Sequence, residues 1–395
     1  MESYDIVVVG ARCAGASTAL LLARQGRRVL LVDKASFPSD TMSTLYIHPP
    51  GVARLARWGV LDDVVASGCP PLDTISHDVD GLRLAAAVTP VDGATAAYAP
   101  RRHVLDGLLV RAAVAAGAEF RDGTRAEELV WRDGRVTGVR LRTGDSVRTV
   151  SAGLVIGADG MRSKVAELAD APVVRSAPLA TCVYYTFWSG LRTGFGFHES
   201  VGRWIARIPT HDDLTVVAAY LPQDEFQAAR RDPAEAYLSA VKSTAPDLYE
   251  QLMAGERADR WRGTGDQRNY FRQAHGPGWA LAGDAAHHLD SITARGITNA
   301  LIQAELLAGS LAGVDVADTA AVDEATARFG RDMAAALAEP YASTLELAKL
   351  RPTKARLRML RAVAASPELT SRYFALSSGA IRMREFMTAD VVDLL

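Results

Sequence analysis

Cysteine is scarce in this chain of 395 residues. Cys13, Cys69 and Cys182 stand far apart with no C-x-x-C spacing, which excludes a disulfide framework and a cysteine-built zinc site. Charge of one sign is equally lacking. Lysine and arginine total 44 against 46 acidic residues, a net charge of −2, and the arginines are spread rather than blocked, so there is no electrostatic case for nucleic acid. Long apolar runs are missing too: no window supplies the roughly 18 uncharged apolar residues of a membrane span. Met1 to Asp5 leads into a strand without the basic stretch of a secretory leader. These absences point to a cytoplasmic protein with neither a nucleic-acid partner nor a membrane span. Its 49% apolar content suffices for a large core, with two layered regions in a chain of this length.

What is present begins at Ile6–Val9, a β-branched run that ends at Gly10 and reads as a strand buried on both faces of a parallel sheet. Apolar residues then recur at helical spacing from Ala14 to Arg24, Gln25-Gly26 closes the helix, and Arg28 to Val32 reads as a second strand. The turn between strand and helix carries Gly10 and Gly15 where a dinucleotide fingerprint G-x-G-x-x-G has its first and third glycines, but Arg12 replaces the second. Asp33, at the end of the second strand about 20 residues on, is the carboxylate such a site uses to accept hydrogen bonds from ribose. Strand, turn, helix, strand and carboxylate in that order predict a dinucleotide site in spite of Arg12. Two readings of that arginine stay open, a guanidinium that reaches a phosphate and an exposed side chain that the turn tolerates.

Two further segments, Leu154 to Gly160 and Trp279 to Asp284, run apolar residues into glycine and aspartate, and are predicted to end strands of the same sheet where ligands gather. Between them, residues 174 to 222 alternate and are rich in aromatics, which predicts a second, mostly antiparallel sheet; alternation sends Tyr185 and Phe187 to one face and Tyr184 and Trp188 to the other. Pro222 to Ala254 and the chain after Thr298 read as helical. Gly296-Ile297-Thr298-Asn299 opens a helix whose free N–H groups suit a site of accumulating negative charge.

With VVVGARCAG, Asp33, GADGMRSKVA at 157 to 166 and AGDAAHHLDSITARGITNA at 282 to 300 in hand, the chain resembles the group A flavoprotein monooxygenases over roughly residues 1 to 310. This superfamily is the aromatic-hydroxylase type, which also has geranylgeranyl reductase-like and halogenase-like branches. The resemblance implies a bound FAD, with NAD(P)H as co-substrate. It places cofactor contacts at Gly10, Arg12, Cys13, Ala14, Gly15, Asp33, Lys34, Arg102, Asp159, Gly283, Asp284, Arg295, Gly296, Ile297 and Thr298, the Asp284 carboxylate on the ribityl hydroxyls. It implies no dedicated catalytic acid or base, and none is assigned. Where the family has proline and a glycine-rich turn, this chain has Asp290-Ser291-Ile292-Thr293-Ala294, with Arg295 in place of a common glutamine; all are expected to line the isoalloxazine, where Arg295 would stabilise reduced flavin. The W-x-W-x-I-P motif of flavin halogenases is absent.

The fold implied is α/β: a Rossmann-type FAD-binding domain with a parallel sheet from residues 1–75, 100–170 and 275–310, an inserted, mostly antiparallel substrate domain from 76–99 and 171–274, and a helical C-terminal region from 311–395. The activity implied is NAD(P)H- and O2-dependent hydroxylation or epoxidation of an apolar aromatic or polyene small molecule, by a monomer or homodimer. A reductase or dehydrogenase of a carbon skeleton, and a non-redox binding protein or cyclase with structural or lost FAD, are the alternatives. His287-His288 reads as part of a loop beside the cofactor, with no metal expected, because neighbouring residues rarely converge on one ion. Cys13 reads as a small packed side chain rather than a reactive thiol. Ser43 and His48 either approach the flavin ring or are structural.

Overall fold

The computed structural model describes residues 2–388 and Val391. The apolar run near the N-terminus becomes the central strand β1 (Glu2–Val9), and α1 (Cys13–Arg24) carries the chain back to β2 (Val29–Val32), all four of whose residues are buried. Helix α2 (Arg102–Ala115) then leads to β3 (Glu119–Arg121), which pairs parallel with β2. On the opposite side of β1 lie β4 (Ser146–Gly157) and beyond it β5 (Trp279–Leu281), both parallel to their neighbours. The parallel order is therefore β5-β4-β1-β2-β3, and the direction of winding reverses between β1 and β4. The crevice at the carboxyl ends of these two strands is where an open α/β sheet binds its ligand. Helix α3 (Gly296–Ser310) closes that end, packed against α1. A hairpin of Thr124–Arg132 and Arg135–Thr143 extends the sheet antiparallel to β4; the sequence reading did not resolve it.

The second sheet orders its strands Glu256–Arg257, Thr181–Ser189, Thr215–Pro222, Arg203–Pro209, Gly196–Ser200, Thr74–Val79 and Leu82–Ala87. One pair, Gly196–Ser200 with Thr74–Val79, is parallel; the rest are antiparallel. Its two faces divide as alternation requires. Tyr184 and Trp188 pack under Tyr237, Val241 and Leu248 of the helices Pro233–Thr244 and Pro246–Ala254, each opened by proline. Tyr185, Phe187, Phe195, Trp204 and Tyr220 share the opposite face with Leu45, Tyr46, Ile292 and Ala294. Helices α4 (Thr319–Leu347), α5 (Lys354–Ala364) and α6 (Pro367–Ser378) follow, then the one-turn helix Met383–Phe386, and Leu360, Val363, Leu369 and Phe374 of α5 and α6 join this same apolar cluster. No helix among the described residues is long and apolar enough to cross a membrane.

Candidate functional site: a dinucleotide cavity at the strand ends

Gly10 leaves β1 with φ of +102°, and a Cβ there would stand 2.3 Å from the carbonyl oxygen of Ala158, so only glycine fits where two strand ends meet. Gly15 serves the packing of α1 on that turn: a Cβ on it would lie 1.7 Å from the Gly10 carbonyl oxygen. Asp33 braces the same turn, accepting hydrogen bonds from the N–H groups of Ala11 at 2.7 Å and Ala35 at 2.8 Å. The carboxylate that sequence spacing marked for ribose thus also holds the defective fingerprint in shape.

These elements bound a cavity of about 540 Å3. Its lining includes Gly10, Arg12, Asp33 and Arg102, the strand-end residues Asp159 and Asp284, and Ser43, Tyr46, Ala294 and Gly296. Neither α1 nor α3 has a side chain capping its N-terminus, whereas Ser163, Asp318, Thr353 and Ser366 cap the helices that follow them. The first N–H groups of two helices therefore lack intrahelical partners at a polar cavity, and suit a phosphate at α1 and a developing anion at α3. Asp284 stands close enough to Arg102 for their charges to interact. Asp159 accepts from Ser163 Oγ at 2.5 Å and the Lys164 N–H at 2.6 Å, opening the short helix Lys164–Leu168; burial raises its carboxyl above the ordinary range.

Twelve of the sequence-predicted contacts line this cavity: Gly10, Arg12, Cys13, Ala14, Asp33, Lys34, Arg102, Asp159, Gly283, Asp284, Gly296 and Ile297. Gly15, Thr298 and Arg295 do not. Thr298 is buried and its Oγ1 accepts the His48 N–H at 3.0 Å. Arg295 corrects the expectation placed on it: the guanidinium turns away from the cavity, donates to the Ser377 carbonyl at 2.6 Å and lies against Gly379, just beyond α6. Burial lowers it to about 10. Ala294, immediately before it, takes a left-handed φ of +51°. Of the altered turn, Ser291 and Ala294 line the cavity; Asp290, Ile292 and Thr293 do not, contrary to expectation. Ser43 lines it and His48 does not: its Nε2 meets the Thr293 carbonyl at 3.0 Å, and burial with the Arg295 charge pulls it down to about 3.

Cys13 is buried, and burial pushes its thiol up, in line with a packed rather than a reactive side chain. His287 and His288 each meet a backbone carbonyl, of Tyr270 and Arg268, and His287 stacks on Phe271 at 4.1 Å. No cluster of three metal-binding side chains occurs among the described residues. One polar residue escaped the sequence reading, and one that it placed only by face has a polar role. Asp106, fully buried on α2, binds Arg12, Arg102 and Cys13. Tyr185 on the second sheet accepts the Ser43 N–H at 3.0 Å through its hydroxyl, tying the cavity loop to that sheet. The four-residue spacing of Arg102 and Asp106 on a helix was the one signal available.

The fold, the glycine turn and the uncapped helices define a dinucleotide-binding oxidoreductase that uses FAD. The chain belongs to the family described as the FAD binding domain, which matches residues 3–337. It is similar to digeranylgeranylglycerophospholipid reductase 2 of Methanothermobacter thermautotrophicus, 33% identical over 191 residues, a match that spans 46% of either chain. It is 29% identical over 313 residues to 6-methylpretetramide 4-monooxygenase of Streptomyces rimosus, covering 75% of this chain and 72% of that one. Its fold is shared with the flavin-dependent brominase Bmp2, with a TM-score of 0.85 at 18% identity over 99% and 97% of the two chains.

Proposed function

We propose that the protein is an NAD(P)H-dependent FAD monooxygenase that inserts one oxygen atom of O2 into an apolar aromatic or polyene small molecule. One observation carries the reading. Tyr46 and Ala294 line the dinucleotide cavity and belong also to the apolar cluster on the second sheet, in which Tyr46 stacks on Phe195 at 4.2 Å. The cavity therefore borders the aromatic and aliphatic side chains of the second sheet. When bound, FAD would supply the redox chemistry, between a reduced nicotinamide and O2. The protein's own contribution is to bind and orient: Asp284 and Arg102 would hold the ribityl and phosphate groups, the α3 N–H groups would stabilise negative charge on the ring, and apolar side chains would exclude water. The named monooxygenase among the relatives favours this reading, and the named reductase supports the alternative of hydride transfer to a carbon skeleton without oxygen.

The test is a spectrum of the purified protein, then anaerobic reduction with NADPH or NADH, then admission of air with candidate substrates. The expected sequence is an oxidised flavin spectrum, bleaching on reduction, and substrate-stimulated oxygen uptake with incorporation of label from 18O2. Reoxidation by an unsaturated substrate in strict absence of oxygen would establish the reductase instead.

A further inference from the structure

The turn that lacks its second glycine has a compensating device. Arg12 stands where a side chain is expected to crowd the phosphate approach, yet its guanidinium is drawn aside. Nη1 meets Asp106 Oδ2 at 2.7 Å and the Ser39 carbonyl at 3.2 Å, Nη2 meets Ser39 Oγ at 3.1 Å, and the group lies over Phe37 at 5.7 Å. Asp106 also receives Arg102, whose Nη2 is 3.0 Å from both of its oxygens, and the Cys13 thiol at 3.3 Å. Three donors from two parts of the chain, the turn at Arg12-Cys13 and the start of α2, thus converge on one carboxylate with no exposure to solvent. Both arginines line the dinucleotide cavity and Asp106 does not.

We propose that Asp106 is a positioning residue that holds two guanidinium groups at the phosphate end of the cavity, lifting Arg12 off the turn so that the α1 N–H groups stay open. The inference rests on the reading of this cavity as the FAD site. The geometry follows from side-chain chemistry: a carboxylate has acceptor sites enough for the Arg102 fork, one N–H of Arg12 and a thiol, and Ser39 fixes the rest of the Arg12 group. One carboxylate between two guanidinium groups leaves net positive charge facing a pyrophosphate, and leaves it in a defined place.

The positioning role and simple electrostatics predict opposite signs for one substitution. Asp106→Asn removes a negative charge near the phosphates, so charge alone tightens FAD. Loss of positioning weakens it, because the two guanidinium groups then scatter and Arg12 falls back over the turn. The experiment is titration of the apoprotein with FAD at several salt concentrations, for the wild type, Asp106→Asn and Arg12→Ala, with circular dichroism to show that each is folded. Expected is an FAD Kd raised about tenfold or more in Asp106→Asn, with a flatter salt dependence as phosphate contacts are lost. An Asp106→Asn protein that binds FAD as tightly as the wild type, or more tightly, overturns the proposal. If that variant does not fold, Arg12→Ala decides: a weakened Kd upholds a guanidinium held at the phosphates, and an unchanged one overturns it. Failure of wild-type apoprotein to bind FAD sinks the cofactor reading itself, an outcome distinct from all of these.

Discussion

Arg295 illustrates how a side chain's direction outweighs its place in a motif. Next to the α3 N-terminus it was expected to act on the flavin's electronics, but its guanidinium is buried against the end of α6 and donates to Ser377. Its work is therefore on the docking of the C-terminal helices. Arg295→Gln shortens the side chain, leaves the Ser377 carbonyl without that donor and is expected to cost about 2 kcal/mol, the value of a charge-assisted hydrogen bond less some relief from burying a charge. Thermal unfolding should show the loss, while FAD affinity stays within about twofold and the flavin midpoint potential is unmoved. A potential lowered by tens of millivolts in the variant would mean that the Arg295 field does reach the ring. Asp33, Gly10 and Asp284 were legible in sequence because each sits at a strand end, where backbone geometry fixes what it faces. Asp106 was not, because its partner Arg12 lies 94 residues away in the chain.

The one-turn segment Ser291–Thr293 joins the cavity to the second sheet. Asp290 opens it, accepting the Ile292 N–H at 3.1 Å and the Thr181 hydroxyl at 2.8 Å, while its own N–H donates to Asn269 Oδ1 at 2.8 Å. Gln267 in turn donates to Thr181 Oγ1 at 2.7 Å, and Tyr220 donates to the Ser291 carbonyl at 2.9 Å. Burial raises the Asp290 carboxyl to about 6 from an ordinary 3.8. A raised folded-state value means that the folded chain holds the proton more tightly than the unfolded chain, so the stabilisation is full below about pH 4 and is lost as pH rises through about 6. The displacement corresponds to about 3 kcal/mol. Relative to Asp290→Asn, which cannot ionise, the wild type should therefore lose stability over this window; parallel curves of melting temperature against pH for the two proteins would show that the carboxyl titrates in the folded state as it does unfolded. Sequence patterning found the strands and helices on either side of this segment because apolar periodicity is local. It misjudged the segment itself, and it overlooked the hairpin Thr124–Thr143, whose strands carry many charged residues in place of a clean alternation.

Across the whole molecule the C-terminal helices were legible as helices, but not as a cover for the second sheet, since the face they bury is supplied by residues far away in the chain. Besides the Arg295–Ser377 contact, they have a second polar attachment, on the strand Gly196–Ser200. Arg356 of α5 grips both oxygens of Glu199, and His77 Nε2 lies 3.0 Å from the same carboxylate. Burial works to raise the Glu199 carboxyl, but His77 and Arg356 outweigh it and hold it below its ordinary value. The two halves of this pair are not equivalent: the Glu199 side chain is 2% exposed and that of Arg356 23%. Glu199→Gln leaves a guanidinium that can swing toward water, and should cost about 1–2 kcal/mol, in the range of a lost hydrogen bond to a charged group. Arg356→Leu leaves a carboxylate sealed in the apolar cluster with His77 as its remaining partner, and should cost about 3–5 kcal/mol, the range for breaking a buried pair from one side. The Arg356 variant is thus expected to melt well below the Glu199 variant, although both lose the same ion pair. Trp204, whose ring centroid is 5.1 Å from that of His77, reports the event by its fluorescence. Equal losses, or a larger one in Glu199→Gln, would mean that apolar packing of α5 and α6, and not the buried carboxylate, sets how firmly the cover is held.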